Sequence, residues 1–70
     1  MRLTFSNKTQ PGVLGDVLSI MADNNINVLD MVNKSRDEVA YNILDLGEMP
    51  ANTVLESLEN IDAIMTIRVI

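Results

Sequence analysis

The sequence contains no cysteine and no histidine. Without cysteine the chain cannot form a disulfide, and without either residue it lacks the usual ligands of zinc, so we expect no metal site. The same two absences remove the side chains that most often act as nucleophile and general base near neutral pH. Scattered carboxylates, one tyrosine and five basic residues remain. We therefore expect this chain alone to catalyse no reaction.

Positive charge is scarce as well, because five basic residues stand against ten acidic ones and give a formal net charge of -5. A negative protein repels polyanions, so we expect no nucleic acid partner. No apolar run approaches the roughly 20 residues of a membrane span, and the start of the chain has no signal-peptide pattern. We therefore expect no membrane partner and a cytoplasmic location.

What the sequence does have is enough apolar character for one small core, with 47% hydrophobic residues in a chain of 70. We expect a single domain over residues 1–70. Ordering a chain costs roughly 1.5 kcal/mol per residue, which nearly cancels the gain from so small a core, so self-association is the expected source of further stability. Predicted strands lie at both ends, which favours a module taken from a longer enzyme; a small free-standing protein is the alternative.

Hydrophobic periodicity predicts six secondary-structure elements. Leu3 and Phe5 alternate with polar residues as in a strand, whereas apolar residues from Val13 onwards recur at helical spacing. We place Pro11 in the first turn of that helix, and a capping box at Thr53 and Glu56 in the second helix. The predicted order is a strand over 2–6, a helix over 13–24, strands over 26–36 and 39–46, a helix over 52–61 and a strand over 63–70.

This βαββαβ order predicts an α+β fold, the ferredoxin-like two-layer sandwich. Right-handed crossovers give an antiparallel sheet of strand order 4132, with both helices on one face. The second strand then lies at an edge and carries apolar residues on both sides. Because an uncovered apolar edge invites pairing with another strand, we expect a homodimer formed through this edge and the first helix.

The junction "NKTQPGVLGDVLSIM" leads from the first strand into the first helix. Gln10 is a poor N-cap residue, so the N–H groups of Gly12, Val13 and Leu14 are expected to be free for a ligand carboxylate. Alternatively, Gly12 only serves the turn, and water or Thr9 satisfies these groups. A glycine at position 15 costs a helix about 1 kcal/mol relative to alanine. We expect a close contact there, with the sheet, with a partner's helix or with a ligand.

The stretch "NKTQPGVLGDVLSIMADNNINVLDM" resembles the loop, helix and strand of ACT domains, small regulatory modules that bind amino acids. The resemblance covers essentially the whole chain. A second stretch, "DMVNKSRDEVAYNILDL", is similar to the C-terminal ACT domain of D-3-phosphoglycerate dehydrogenases, which open serine synthesis. The resemblance implies paired domains with one continuous eight-stranded sheet. It also implies an effector such as L-serine bound in the seam, that is, at the boundary between the two paired domains.

Carried over by position, the resemblance implies a set of ligand-contacting residues. In one copy they are Asn7, Thr9 and the backbone of Gly12, Val13 and Leu14, and the neighbouring copy adds Asn27. The best-known serine-binding members have histidine and asparagine at the first two places, so Asn7 and Thr9 depart from that pattern, whereas Asn27 matches it. The resemblance implies no cofactor in this domain and NAD only in a parent catalytic domain.

Three other functions are possible on this fold. A structural dimerisation module without ligand would explain the apolar edge equally well. An acylphosphatase-like enzyme would need an arginine in the loop after the first strand, where this chain has only Lys8. An RNA-binding protein would carry positive charge and aromatic residues on its central strands, whereas Tyr41 stands alone.

Overall fold

The structure is a computed structural model that describes residues 1–70. It contains the six predicted elements in the predicted order, and the four strands form one antiparallel sheet. The strand order is β2-β3-β1-β4, which is the predicted order read from the other edge. The fold prediction is therefore confirmed. The elements are β1 (Arg2–Lys8), α1 (Val13–Asp23), β2 (Val28–Arg36), β3 (Val39–Leu46), α2 (Asn52–Glu59) and β4 (Ile64–Val69).

One face of the sheet carries the core, because alternate residues of the two central strands point towards the helices. The two helices supply the other side of the core, because their apolar faces point towards the sheet. Burying one such leucine or valine side chain stabilises the fold by about 1.5–3 kcal/mol. The buried cluster comprises Leu3, Phe5, Val17, Met21, Ile26, Leu44, Leu46, Val54 and Leu58.

A residue with a positive φ angle lies at each end of helix α1. At its end Asn25 adopts a positive φ of 57°, a left-handed conformation that asparagine tolerates and that is typical of a helix end. Its beginning was predicted wrongly, since Pro11 lies in a turn before the helix and Gly12 is the N-cap residue. The left-handed φ of 86° at Gly12 redirects the chain after Pro11, and the helix starts only beyond it.

The predicted capping box of α2 is also wrong. The helix begins before Thr53, with Ala51 as its N-cap residue and no side-chain cap. The carbonyl of Ala51 accepts the N–H groups of Val54 and Leu55 at 3.0 and 3.2 Å. Ala51 itself has the extended backbone, with φ -67° and ψ 156°, that is typical of an N-cap residue.

Two strands differ from their predicted forms in ways that affect the site. Strand β1 runs on to Lys8, so Asn7 belongs to the strand and not to the loop. Strand β2 shifts its register between Val28 and Asp30, where it forms a bulge. Val28 and Met31 therefore both pair with helix-facing residues of β3, although a strand of regular alternation would place them on opposite faces. No helix of the chain is long and apolar enough to cross a lipid bilayer.

Candidate functional site

The loop between β1 and α1 is held at its start by two backbone hydrogen bonds. The Lys8 N–H donates to the Ala63 carbonyl at 2.8 Å, and the Thr9 N–H donates to the Glu38 carbonyl at 2.9 Å. The first bond fixes the loop to the segment before β4, and the second fixes it to the turn of the β2–β3 hairpin. The start of the exposed Pro-Gly turn is therefore fixed by β1, by the segment before β4 and by the turn of the β2–β3 hairpin.

The first turn of α1 presents backbone N–H groups that have no acceptor in the chain. The first helical hydrogen bond is donated by Asp16 to the Gly12 carbonyl at 2.9 Å, and Gly12 provides no side-chain cap. Such unpaired donors lie at the positive end of the helix dipole, where an anion is stabilised. The predicted free N–H groups are therefore present. They belong to Gly12, Val13, Leu14 and Gly15.

The two glycines of this turn have open space where a side chain would lie. A Cβ atom built at Gly12 or at Gly15 would meet no other atom within 4 Å. The close contact that we expected at Gly15 is thus absent within the chain, since the residue faces outwards from α1. No other residue of the chain lies against either glycine at the side-chain position.

The same two glycines provide a matched pair of substitutions. Gly12→Ala is expected to destabilise the chain by about 1–2 kcal/mol, because φ is +86° there and alanine is strained in that region. Gly15→Ala is expected to stabilise it by about 0.5–1 kcal/mol, because the backbone there is helical. Thermal unfolding without ligand measures both; a shift in the same direction for the two variants contradicts this assignment.

Asn7 lies beneath this turn and points towards the core, with only 5% of its surface exposed. Its Nδ2 donates to the Lys8 carbonyl at 2.8 Å, and its Oδ1 accepts a hydrogen bond from Asn42 at 2.8 Å. One N–H and one lone pair of this amide remain for a ligand. Thr9 is exposed and its hydroxyl has no partner in the chain.

Asn27 lies at the opposite end of the sheet from the Pro-Gly turn. Its carbonyl accepts the Gly47 N–H at 2.9 Å, just beyond the end of β3, whereas Lys8 pairs with Val39 at the start of β3. The eight residues of β3 separate these two ends by about 25 Å, at ~3.3 Å per residue. Within one chain, therefore, the structure does not bring Asn27 together with the other predicted site residues.

A hollow of about 420 Å³ adjoins the loop on the hairpin side. Lys8, Thr9 and Glu38 line it, so it offers a positive charge, a hydroxyl and a negative charge. A larger hollow of about 580 Å³ runs along β4 and does not include the loop. The Arg2–Asp45 ion pair lies at the far end of β1, where the Arg2 hydrogen bond of 2.9 Å lowers the pKa of the Asp45 carboxyl.

The sequence reasoning missed Asn42, the most deeply buried polar residue of the chain at 2% exposure. It lies on β3 between inward-facing Ala40 and Leu44, and its amide contacts Asn7. A signal was available, because the alternation of "VAYNILDL" places this asparagine among the core residues. A polar residue at a predicted core position requires a specific hydrogen-bond partner.

Several solved structures share this architecture. The ACT domain of GTP pyrophosphokinase from Chlorobium tepidum superposes with a TM-score of 0.78 at 11% identity, covering 96% of this chain and 91% of that one. An ACT domain protein from Streptococcus pneumoniae gives 0.72 at 19% identity, covering 96% and 84%. The ligand-free regulatory subunit of aspartate kinase from Thermus thermophilus gives 0.71 at 18%, covering 96% of this chain but only 48% of the subunit.

At such low identity these structures establish the fold alone. A search among curated proteins finds no match for the sequence. A family model supplies the family, because the ACT domain model matches residues 1–63, which include the Pro-Gly turn, α1 and Asn27. ACT domains are regulatory modules that commonly dimerise and bind amino acid effectors, and they are not catalytic. The chain belongs to the ACT domain family.

Proposed function

We propose that this ACT domain is a feedback sensor of L-serine for a D-3-phosphoglycerate dehydrogenase, and that it acts as a side-by-side dimer. One observation carries the proposal: the first turn of α1 presents unpaired N–H groups, and the loop before it is hydrogen-bonded to the turn of the β2–β3 hairpin, whose strand β2 forms an edge of the sheet. The resemblance of "NKSRDEVAYNILDL" to dehydrogenase ACT domains supports the choice of effector and parent enzyme.

The exposed edge of β2 supports the dimer. This strand has nine residues and pairs only with β3, and three of its apolar side chains lie largely in solvent. Leu29 is 64% exposed, Met31 40% and Val32 42%. Long apolar edges with free N–H and C=O groups associate with other strands. Antiparallel pairing of two β2 strands about a two-fold axis forms the continuous eight-stranded sheet.

The same pairing explains how Asn27 enters the site. Two antiparallel β2 strands run in opposite directions, so the end at which one strand starts lies beside the end at which the other finishes. Arg36 ends β2 opposite Val39, at the same end of the sheet as the Pro-Gly turn. The partner's β2 therefore begins there, and the Asn27 that precedes it reaches this seam. Each dimer has two such sites.

A small amino acid matches the groups that this seam offers. Its carboxylate accepts hydrogen bonds from the N–H groups of Gly12, Val13 and Leu14, where the helix dipole favours negative charge. The Glu38 carboxylate in the adjoining hollow provides negative charge for the ammonium group. Thr9, the remaining N–H of Asn7 and the amide of the partner's Asn27 complete the polar contacts.

A ligand shared by two chains binds their closed pair better than an open one, and so it shifts the equilibrium between quaternary arrangements. Couplings of this kind are typically about 1–3 kcal/mol, enough for effects of about 5- to 150-fold on a distant site. In a cytoplasmic dehydrogenase of this type NAD would bind to the catalytic domain, while this domain holds no cofactor. Its role is regulation alone.

Calorimetric titration of the folded dimer with L-serine tests the proposal, with D-serine as the matched control. We expect saturable heat with L-serine at or below millimolar concentration and little with the D-enantiomer. Heat from a different amino acid, with none from L-serine, would refute L-serine as the effector, and the proposal that the domain senses an amino acid would stand. Silence with every protein amino acid would leave a structural dimerisation module, which the apolar β2 edge alone supports.

A further inference from the structure

Three asparagine side chains form a continuous line of hydrogen bonds across three strands. Asn33 on β2 donates through Nδ2 to Oδ1 of Asn42 on β3. Asn42 in turn donates through Nδ2 to Oδ1 of Asn7 on β1 at 2.8 Å. Asn7 donates through Nδ2 to the Lys8 carbonyl at 2.8 Å. We call Asn33, Asn42 and Asn7 the asparagine relay.

The relay lies on the helix-facing side of the sheet and is mostly withdrawn from water. Asn42 is 2% exposed and Asn7 is 5% exposed, whereas Asn33 at the edge is exposed. Burying an amide costs free energy unless its hydrogen bonds are made, so each member depends on its neighbours for its orientation. All three amides point the same way, with N–H groups towards the loop, and hydrogen bonds in such a line strengthen one another.

The two ends of the relay lie at the two parts of the proposed effector site. One end is Asn33, whose Oδ1 is free on the edge at which a second β2 would pair. The other end is the backbone of Lys8, whose carbonyl accepts from Asn7 and whose N–H donates to the Ala63 carbonyl at 2.8 Å. Because both backbone polar groups of Lys8 are hydrogen-bonded, they fix the direction in which the chain enters Thr9 and the Pro-Gly turn.

We propose that the relay couples the β2 edge to the effector loop and that Asn42 is its positioning residue. The inference rests on the proposed function and deepens it. Asn42 touches no ligand; it holds Asn7, which orients the Lys8 carbonyl, and it receives from Asn33 the displacement that strand pairing imposes. Amino acid binding and dimerisation therefore strengthen each other through these side chains.

The test compares two variants that remove side-chain hydrogen bonds from the sheet, two bonds in the first variant and one in the second. Asn42→Leu keeps the side-chain volume and breaks the relay at its centre. Thr66→Val, the control, removes the 2.6 Å bond between Ser6 and Thr66, which lies on the opposite face beside the same strand β1. L-serine, and each of the other protein amino acids in parallel, is titrated into both variants and the wild type by calorimetry. Thermal unfolding establishes that each variant is folded.

We expect Asn42→Leu to weaken amino acid binding about tenfold and Thr66→Val to change it less than about twofold, with both variants folded at the temperature of the titration. In the wild type, the side-chain amide resonances of Asn42 are expected to move when the amino acid binds. A merely structural asparagine would leave them in place.

The outcomes separate the two proposals. If the wild type binds an amino acid and Asn42→Leu binds it equally well, the relay is refuted and the sensor stands. If the wild type binds none, both fail. Should Asn42→Leu not fold, Asn33→Ala decides, because it changes an exposed residue: about threefold weaker binding supports the relay, and unchanged binding overturns it.

Discussion

Met31→Lys is expected to raise the dissociation constant of the dimer about a hundredfold or more. In the proposed dimer Met31 lies near the middle of the paired β2 strands, and the single chain leaves 40% of it exposed. Covering the exposed 40% of a methionine side chain contributes about 1 kcal/mol, and both copies lose this contribution at once. The two introduced ammonium groups also repel each other across the two-fold axis. Sedimentation equilibrium measures the dissociation constant.

The chain offers a matched control for this substitution at the other edge of the sheet. Met65 lies on β4, is 52% exposed, and can be replaced by the same residue. We expect Met65→Lys to dimerise like the wild type, because β4 takes no part in the proposed interface. Dissociation by Met65→Lys and not by Met31→Lys would place the interface at β4 instead.

Asn27→Ala is expected to weaken amino acid binding by about ten- to a hundredfold while the dimer persists. The amide of Asn27 is exposed in the single chain and makes no side-chain hydrogen bond there, so the fold does not depend on it. In the proposed seam it would bond to a ligand excluded from water, and loss of such a bond to a charged group costs about 1.5–3 kcal/mol. Calorimetry gives the affinity, and light scattering gives the mass.

Asn52→Ala serves as the control, since Asn52 is an exposed asparagine at the start of α2. It should bind the amino acid as the wild type does. If Asn27→Ala also binds with wild-type affinity, the partner contributes nothing through this residue. The binding site would then not include Asn27 of the second chain, which is the contact that the proposal requires.

Much of the fold could be predicted from local patterns, for physical reasons. Leu3 and Phe5 alternate because one face of β1 meets the helices, and the residues after Val13 recur at helical spacing for the same reason. Asn25 ends α1 because asparagine tolerates a positive φ. These features depend on a few neighbouring residues, so a single sequence reveals them.

Features that depend on distant residues were not predicted. The length of β1 follows from its pairing with β3, and that extension turned Asn7 from a loop residue into a core-facing one. The bulge in β2 brings Val28 and Met31 to the same face of the sheet, which regular alternation does not predict. Gln10 and Pro-Gly indicated a helix start without a side-chain cap, which the structure shows. The partners of Asn7 could not be predicted, because hydrogen bonds across a sheet leave no local pattern.

A mixing experiment tests most directly whether the effector site is shared between two chains. Gly12→Asp places a carboxylate where the ligand's carboxylate would lie, and Asn27→Ala removes the contact from the partner. Each variant alone should bind weakly at both of its sites. In a mixed dimer, one seam carries both changes and the other carries neither, so that second site is intact.

Equal amounts of the two variants, unfolded together and refolded, are titrated with the amino acid. Half of randomly assorted dimers are mixed, so we predict that about a quarter of the wild-type binding capacity returns at wild-type affinity. A capacity that stays at the level of the separate variants, in a sample shown to contain mixed dimers, would contradict a site built from the Pro-Gly turn of one chain and Asn27 of the other.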